Sequence, residues 1–220
     1  MVCMTGKESK AERHAQTRAT LLAEARAIFS RQGFAGAGTE AIVRAAQVTR
    51  GALYYHFADK RTLFEAVVAE EACLVLESLL DQSADAEDRF EALAFGCFAY
   101  IQACLEPGTR RIYLLDGPAV LGWARWREID DRFSGAELRR RVEHLLEDCG
   151  SRRDLEIVTL LIGGAIREAV LWLSETDDPD DYARVEDTLE EMLRSIFALP
   201  EDFDEEPTLK VKVLPPEPAA

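Results

Sequence analysis

The 220-residue chain is 48% hydrophobic and 30% charged, which excludes a disordered, collagen-like or low-complexity polymer and leaves one large domain or two small ones at roughly 100–200 residues each. Its net charge of −15, from 26 Lys/Arg against 41 Asp/Glu, speaks against nucleic acid when averaged over the whole chain. Apolar stretches such as 159–166 fall short of the roughly 20 residues a membrane-spanning helix needs, and positions 1–16 lack the apolar block of a secretory signal, so a cytoplasmic chain is expected.

Ala and Leu dominate, apolar residues recur at spacings of three and four, and Gly or Pro punctuates every ten to twenty positions, which predicts an all-α fold. From Thr17, the residues Leu21, Leu22, Ala25, Ile28 and Phe29 mark one stripe of a first helix that stops at Gln32-Gly33. After a loop over 33–38, Thr39 is placed to cap a short second helix with Ile42 and Ala46 inward. Thr49 caps a short third helix with Leu53 and Phe57 inward, and Asp59 caps a long fourth over about 60–80. Further helices are expected near 87–105, ending at Pro107-Gly108, near 109–115, and from Gly117-Pro118. Ser134 and Glu137 have capping-box spacing for a helix near 135–148, and Ser151 and Asp154 can do the same, with a shorter acidic partner, for one near 152–174. Asp178-Pro179-Asp180-Asp181 opens the last, near 179–198, which makes ten helices. From 199 on, prolines and an acidic run read as a tail, with 209–214 the only strand-like alternation.

The second and third helices, short and joined by a tight turn, have the layout of a helix-turn-helix, whose second helix enters the major groove by its N-terminal end. Val48, Leu53 and Phe57 bury against the first two helices, which leaves Arg50, Tyr55 and His56 pointing outward. Arg50 can offer a fork to a guanine edge, while Gly51 and Ala52 let the backbone approach base edges and thymine methyls. Thr39, Tyr54, Tyr55, His56 and Lys60 supply donors suited to phosphates, and the helix starts at Thr39 and Thr49 add oriented amides. Charge agrees: residues 1–62 hold ten Lys/Arg against five Asp/Glu, whereas the remaining 158 carry −20.

Residues 17–66 also resemble the DNA-binding domain of the TetR/AcrR transcriptional regulators. The resemblance rests on Phe29…Gly33-Phe34, Thr39, Ile42, the Ala45-Ala46-x-Val48-Thr49 turn, and the run Leu53-Tyr54-Tyr55-His56-Phe57 followed three positions on by Lys60. It implies that Thr39, Arg50, Ala52, Tyr54, Tyr55, His56 and Lys60 meet DNA. Two departures stand out: Gln47 occupies a turn position where the family usually has Gly, and Ala52 one where Thr is commoner. The resemblance also assigns an effector cavity to the middle helices, where aromatics concentrate, and Phe95, Phe98, Tyr113, Trp123 and Trp126 are the expected lining for a small hydrophobic effector.

One reading helix offers few base contacts, so two copies are expected on a palindromic operator. The stripe over 155–173 is too wide for a single packing partner, and the last helix matches it in spacing. Leu161, Gly164, Ala165, Val185, Leu189 and Met192 are therefore the expected interface of a homodimer built as a four-helix bundle. Gly163-Gly164 makes best sense where another backbone comes close. The expected organisation is a helix-turn-helix DNA-binding domain over 1–60, a larger helical effector-binding and dimerisation domain over 61–199, and a tail over 200–220. The expected function is a sequence-specific transcriptional regulator, a repressor rather than an activator, that binds double-stranded DNA as a homodimer and is released by a small-molecule effector.

Two other readings draw on local features. An adaptor that has lost DNA recognition draws on Gln47 and the acidity, and a magnesium-dependent isoprenoid enzyme draws on Asp177-Asp178-Pro179-Asp180-Asp181, which a capped helix start explains equally. Gly33, Gly36 and Gly38 do not make a phosphate loop, since no strand precedes them. His14, His56 and His144 lie apart with no HExxH, and Cys3, Cys73, Cys97, Cys104 and Cys149 show no CxxC spacing. No catalytic residue, metal or cofactor is expected, the chain is not read as an enzyme, and Cys97 and Cys104, seven apart, read as packing.

Overall fold

The computed structural model describes residues 10–197; the 200–220 tail, its 209–214 alternation and Cys3 lie outside the described residues. Within them the chain is all helical, in twelve segments rather than ten. Helix α1 (Lys10–Gly36) starts seven residues before Thr17. Thr17 and Thr20 do not cap it: each hydroxyl donates back to the carbonyl four residues earlier, Arg13 and Gln16. Gly33, with φ 69°, breaks the helix where expected.

Helix α2 (Thr39–Ala45) takes Gly38, not Thr39, as its N-cap, with no side-chain bond there; the Gly38 carbonyl already accepts from Ala41 and Ile42, so Thr39 falls inside the first turn. Helix α3 (Arg50–His56) follows its prediction, with the Thr49 hydroxyl accepting from the Ala52 amide at 3.1 Å. Helix α4 (Lys60–Gln82) is capped by Asp59, which accepts from Thr62 at 2.7 Å, and α5 (Arg89–Leu105) by Asp88.

Pro107 opens a run instead of closing one. Glu106 accepts from the Thr109 amide at 2.7 Å and starts α6 (Pro107–Thr109), which continues without a gap through a π-helical segment, Arg110–Asp116, into α7 (Gly117–Leu121). Gly122 separates α7 from α8 (Trp123–Asp130).

Helix α9 (Ser134–Asp148) lacks the expected capping box. Arg140 and Arg141 hold the Glu137 carboxylate at 2.6 Å each, and the buried Ser134 hydroxyl is left with no partner. Asp154 caps α10 (Leu155–Leu173) through the amides of Glu156 and Ile157, while Ser151 accepts from Arg153 outside the helix. Helix α11 (Asp181–Phe197) begins two residues after Pro179, because Asp178 accepts from Asp180 in a turn of its own and Asp181 is tied to Thr176.

Helix α4 is the spine. Leu63, Phe64, Val67, Val68, Ala72 and Val75 form an apolar stripe that packs on α1 at one end and α5 along its length. Glu71 lies on the same stripe with 0% exposure, and such a carboxylate is tolerated only when matched. Arg26 of α1 makes a two-pronged contact with it, and the Thr109 hydroxyl of α6 donates to it at 2.9 Å. Glu71→Gln, which keeps the shape and loses the charge, is expected to destabilise the chain by about 1–3 kcal/mol, read as a fall in Tm of several degrees in a thermal melt.

Candidate nucleic-acid interface and trunk cavity

The head, α1–α3, positions the reading helix by burial on one side. Leu53 and Phe57 sit at 0% and 3% exposure in the core that also holds Leu21, Leu22, Ala25 and Ile42, with Val48 partly buried against that core. The turn before α3 places Gln47 at φ 54°, the left-handed region that favours glycine, which is why a glycine is usual there in the family it resembles. The turn closes through the Gln47 amide to the Arg44 carbonyl at 3.2 Å and the Val48 amide to the Val43 carbonyl at 3.0 Å. Those bonds, with the core of the head, hold a non-glycine residue in that conformation.

On the outer face of α3, Tyr55 is 73% exposed and Tyr54 40%; Gly51 is open to solvent and Ala52 half-buried. Arg50 is exposed but engaged: its guanidinium pairs with Glu40 at 3.1 Å and lies 5.5 Å from the Tyr54 ring centre. An exposed pair of this kind contributes little to stability, so DNA can take the fork from Glu40 at small cost. The sequence reading did not foresee Glu40 in this role, although it lies in the first turn of α2.

Three predicted contacts stand differently. His56 does not point outward; it is half-buried, its ring 4.2 Å from that of His14, and its Nδ1 is buried without a partner. Desolvation, with His14 and Arg18 nearby, holds its imidazole below the ordinary histidine pKa. The unforeseen early start of α1 brings His14 over this site. Lys60 is half-buried with its ammonium 4.3 Å from the Phe34 ring centre, and Thr39 is half-buried inside α2. The exposed set among the predicted contacts is therefore Thr49, Arg50, Gly51, Tyr54 and Tyr55, and the Thr49 hydroxyl is already used as a cap.

The trunk, α4–α11, holds a small cavity of about 30 Å³ between α4, α5, α8, α9 and α10. None of the five expected aromatics lines it. Tyr113 and Trp126 are core: the Tyr113 hydroxyl donates to Asp130, and the Trp126 indole N–H donates to the Tyr113 carbonyl at 2.7 Å. Phe98 packs on the core half-buried, while Trp123 is 57% exposed and Phe95 37%. Large rings fill space, and the cavity lies instead where α5, α9 and α10 carry Gly96, Gly135 and Gly163.

Its wall combines Leu79, Leu93, Leu138 and Ile166 with Tyr100, Asp130, Ser134, Arg141 and Arg167. Burial pushes the Asp130 carboxyl up, opposed by the Tyr113 hydrogen bond and by Arg167. Cys97 also lines the cavity, and burial pushes its thiol up to about 12, as suits a packing residue.

On the far side of α10, Leu161 is 63% exposed, with Ile157, Leu160 and Trp172 each near half exposed. Ala165, Val185, Leu189 and Met192 line an adjoining groove between α10 and α11, with Leu189 at its floor, 6% exposed. No backbone approaches Gly163, whose missing side chain makes room for the Arg167 guanidinium; beside Gly164 nothing lies within 4 Å. The aspartates of the 177–181 run are used locally: Asp178 accepts from Asp180, and Asp181 is buried with Thr176 and Arg184. No helix among the described residues is long and apolar enough to cross a membrane.

Residues 21–67 match the family model for bacterial regulatory proteins of the tetR family, and residues 90–196 match that for the tetracyclin repressor-like C-terminal domain. The crystal structure of a TetR-family transcriptional regulator from Pectobacterium atrosepticum is 34% identical, with a TM-score of 0.69, over 87% of this chain and 98% of that one. The A-factor receptor protein of Streptomyces griseus is 35% identical over 81 residues, 33% of this chain and 29% of that protein. The transcriptional regulator AcrR of Shigella flexneri is 44% identical over 52 residues, 24% of each. This chain thus spans less than a third of the length of either of those two relatives.

Gln47→Gly should relieve the left-handed conformation and, after the glycine's own loss of chain freedom, stabilise the head by up to about 1 kcal/mol. A thermal melt would show a Tm raised by a few degrees; a lowered one would mean that the glutamine side chain stabilises the turn.

Proposed function

The chain belongs to the TetR family of transcriptional regulators, and from that premise we propose that it is a cytoplasmic repressor that grips a palindromic operator as a homodimer and lets go when a small molecule fills the trunk. The observation that carries this reading is the two-sidedness of α3. Leu53 and Phe57 anchor it in the head, while Arg50, Gly51, Tyr54 and Tyr55 at its start and along its outer face stay free of the core. A helix held in this way presents its N-terminal residues to the major groove. The basic balance of residues 1–62 draws the head to phosphate in spite of the acidic trunk.

Pairing is the second part of the proposal. The exposed Leu161, the open surface at Gly164 and the groove beside Ala165, Val185 and Met192 suit a second copy related by a two-fold axis, since one such patch can meet itself. The proposed boundary between head and trunk falls at the start of α4, near residue 60, so that α4 runs out of the head as a lever. An effector that favours one spacing of the two heads shifts the equilibrium by its difference in affinity for the two arrangements.

Fluorescence anisotropy with DNA fragments from upstream of the chain's own coding region tests the first part. Binding should weaken by about 10³-fold or more between 50 and 200 mM salt. Arg50→Ala together with Tyr55→Ala should cost at least about tenfold. Salt-insensitive binding, or a double variant that binds as well as the parent, would favour an adaptor instead. Sedimentation tests the second part: Leu161→Arg should convert a dimer into a folded monomer with weakened DNA binding, and a variant that stays dimeric would place the interface elsewhere.

A further inference from the structure

The face of the head that carries the reading helix holds a single acid. Between 39 and 56 the residues charged at neutral pH are Glu40, Arg44 and Arg50, and all three are exposed. Glu40 and Arg50 come from different helices, α2 and α3, and meet through Arg50 Nη1 and Glu40 Oε1 at 3.1 Å, with side chains 62% and 65% exposed respectively. A carboxylate in the first turn of a helix is mildly favoured by the helix dipole, which would account for Glu40 on an ordinary surface. On a surface that docks against phosphates the same carboxylate is repelled and loses water, a cost that only a hydrogen-bond donor on the partner can offset.

The Arg50 guanidinium is engaged at one nitrogen. Nη1 donates to Glu40, while Nε and Nη2, the side edge of the fork, make no hydrogen bond among the described residues, and Oε2 of Glu40 accepts none. The Tyr54 ring, 5.5 Å from the guanidinium carbon, steadies the plane. Guanine offers two acceptors, N7 and O6, to that free edge, so Arg50 can read a guanine without releasing Glu40. The free Glu40 oxygen then stands beside the fork as an acceptor. The 3.1 Å between the two side chains is close to the roughly 3.4 Å rise from one base pair to the next. Guanine O6 and thymine O4 are acceptors and would repel this oxygen. Adenine presents N6 together with an N7 acceptor that a carboxylate cannot satisfy, whereas cytosine presents the N4 amino group alone.

We propose that Glu40 is a specificity-determining residue that reads cytosine: its free oxygen accepts from the N4 amino group while the free edge of Arg50 reads a guanine in the adjoining base pair. The two side chains act as one reading unit, acceptor beside donor, assembled from α2 and α3. This rests on the proposed docking of α3 in the major groove and adds to it a requirement for cytosine that Arg50, Tyr54 and Tyr55 alone do not impose.

Selection of duplexes from a randomised DNA library by the full chain, followed by sequencing, tests the proposal. The parent should enrich half-sites with a guanine and, one base pair away, a cytosine. Glu40→Ala should lose the preference for cytosine and keep that for guanine, and Arg50→Ala should lose the guanine. Glu40→Gln should shift the cytosine position towards adenine, because an amide matches adenine N6 and N7 together. In anisotropy with the selected site, exchanging that cytosine for thymine should weaken the parent about five- to 100-fold and Glu40→Ala by less than about twofold. A parent site without the adjoining cytosine, a Glu40→Ala that keeps it, one that blurs the guanine instead, or one that binds every site more tightly with unchanged preference would each overturn the proposal. If Glu40→Ala fails to fold, Glu40→Gln decides alone. An enriched site whose adjoining position ignores Glu40 removes this inference alone, whereas a parent that enriches no site removes the DNA-binding reading and this inference with it.

Discussion

A carboxylate with no access to water has to be matched where it stands, and Glu71 is matched only because the head and the trunk meet there. Arg26 comes from α1 and Thr109 from α6, so the group that would otherwise be most costly in the fold is satisfied by two elements far apart in sequence that meet each other at α4. Neighbouring contacts follow the same division. The Asp116 carboxylate accepts from the Phe34 amide at 2.7 Å where α1 breaks at Gly33, and Arg111 donates to the carbonyls of Ser30 and Arg31 in the turn just before that break. Arg61 donates to the carbonyls of Val120 and Leu121, and Arg125 pairs with Glu65 at 2.5 Å. The run α6–π–α7 therefore serves as a collar around the end of α1.

In the proposed regulation that collar carries the signal as a packing event. The cavity lies against α5, α5 leads through Glu106 into α6, and α6 and the π-helical segment hold α1, which packs on α2, as the reading helix does in turn. π-Helical turns are rare and recur at functional positions, and here one carries both Arg111 and Asp116. In the proposed mechanism a ligand that favours one packing of α5 also favours one setting of the head, and the two copies in a dimer double the effect on operator spacing.

How far the sequence could be read depended on whether the signal was local. The Thr49 and Asp59 caps, the inward pair Leu53 and Phe57 and the strain at Gln47 are decided within a few residues, and the structure has them as expected. The capping box at Ser134 failed because Glu137 had better partners one turn on, and Thr39 lost its cap position to a glycine beside it. His56 was misjudged because its neighbour, His14, arrives from forty residues away. The aromatic cluster misled most. Counting rings locates packed volume, whereas the small trunk cavity is lined by residues of five different helices, a grouping that no single segment shows.

Hydrogen exchange on the full chain, with and without a bound operator fragment, bears most directly on the claim that head, collar and reading helix act as one unit. The account predicts slowed exchange over 39–56 and, with it, at 30–34 and 110–116, although only the first of these segments is proposed to touch DNA. Slowing restricted to 39–56 would contradict the coupling, and no slowing there at all would contradict the reading helix itself.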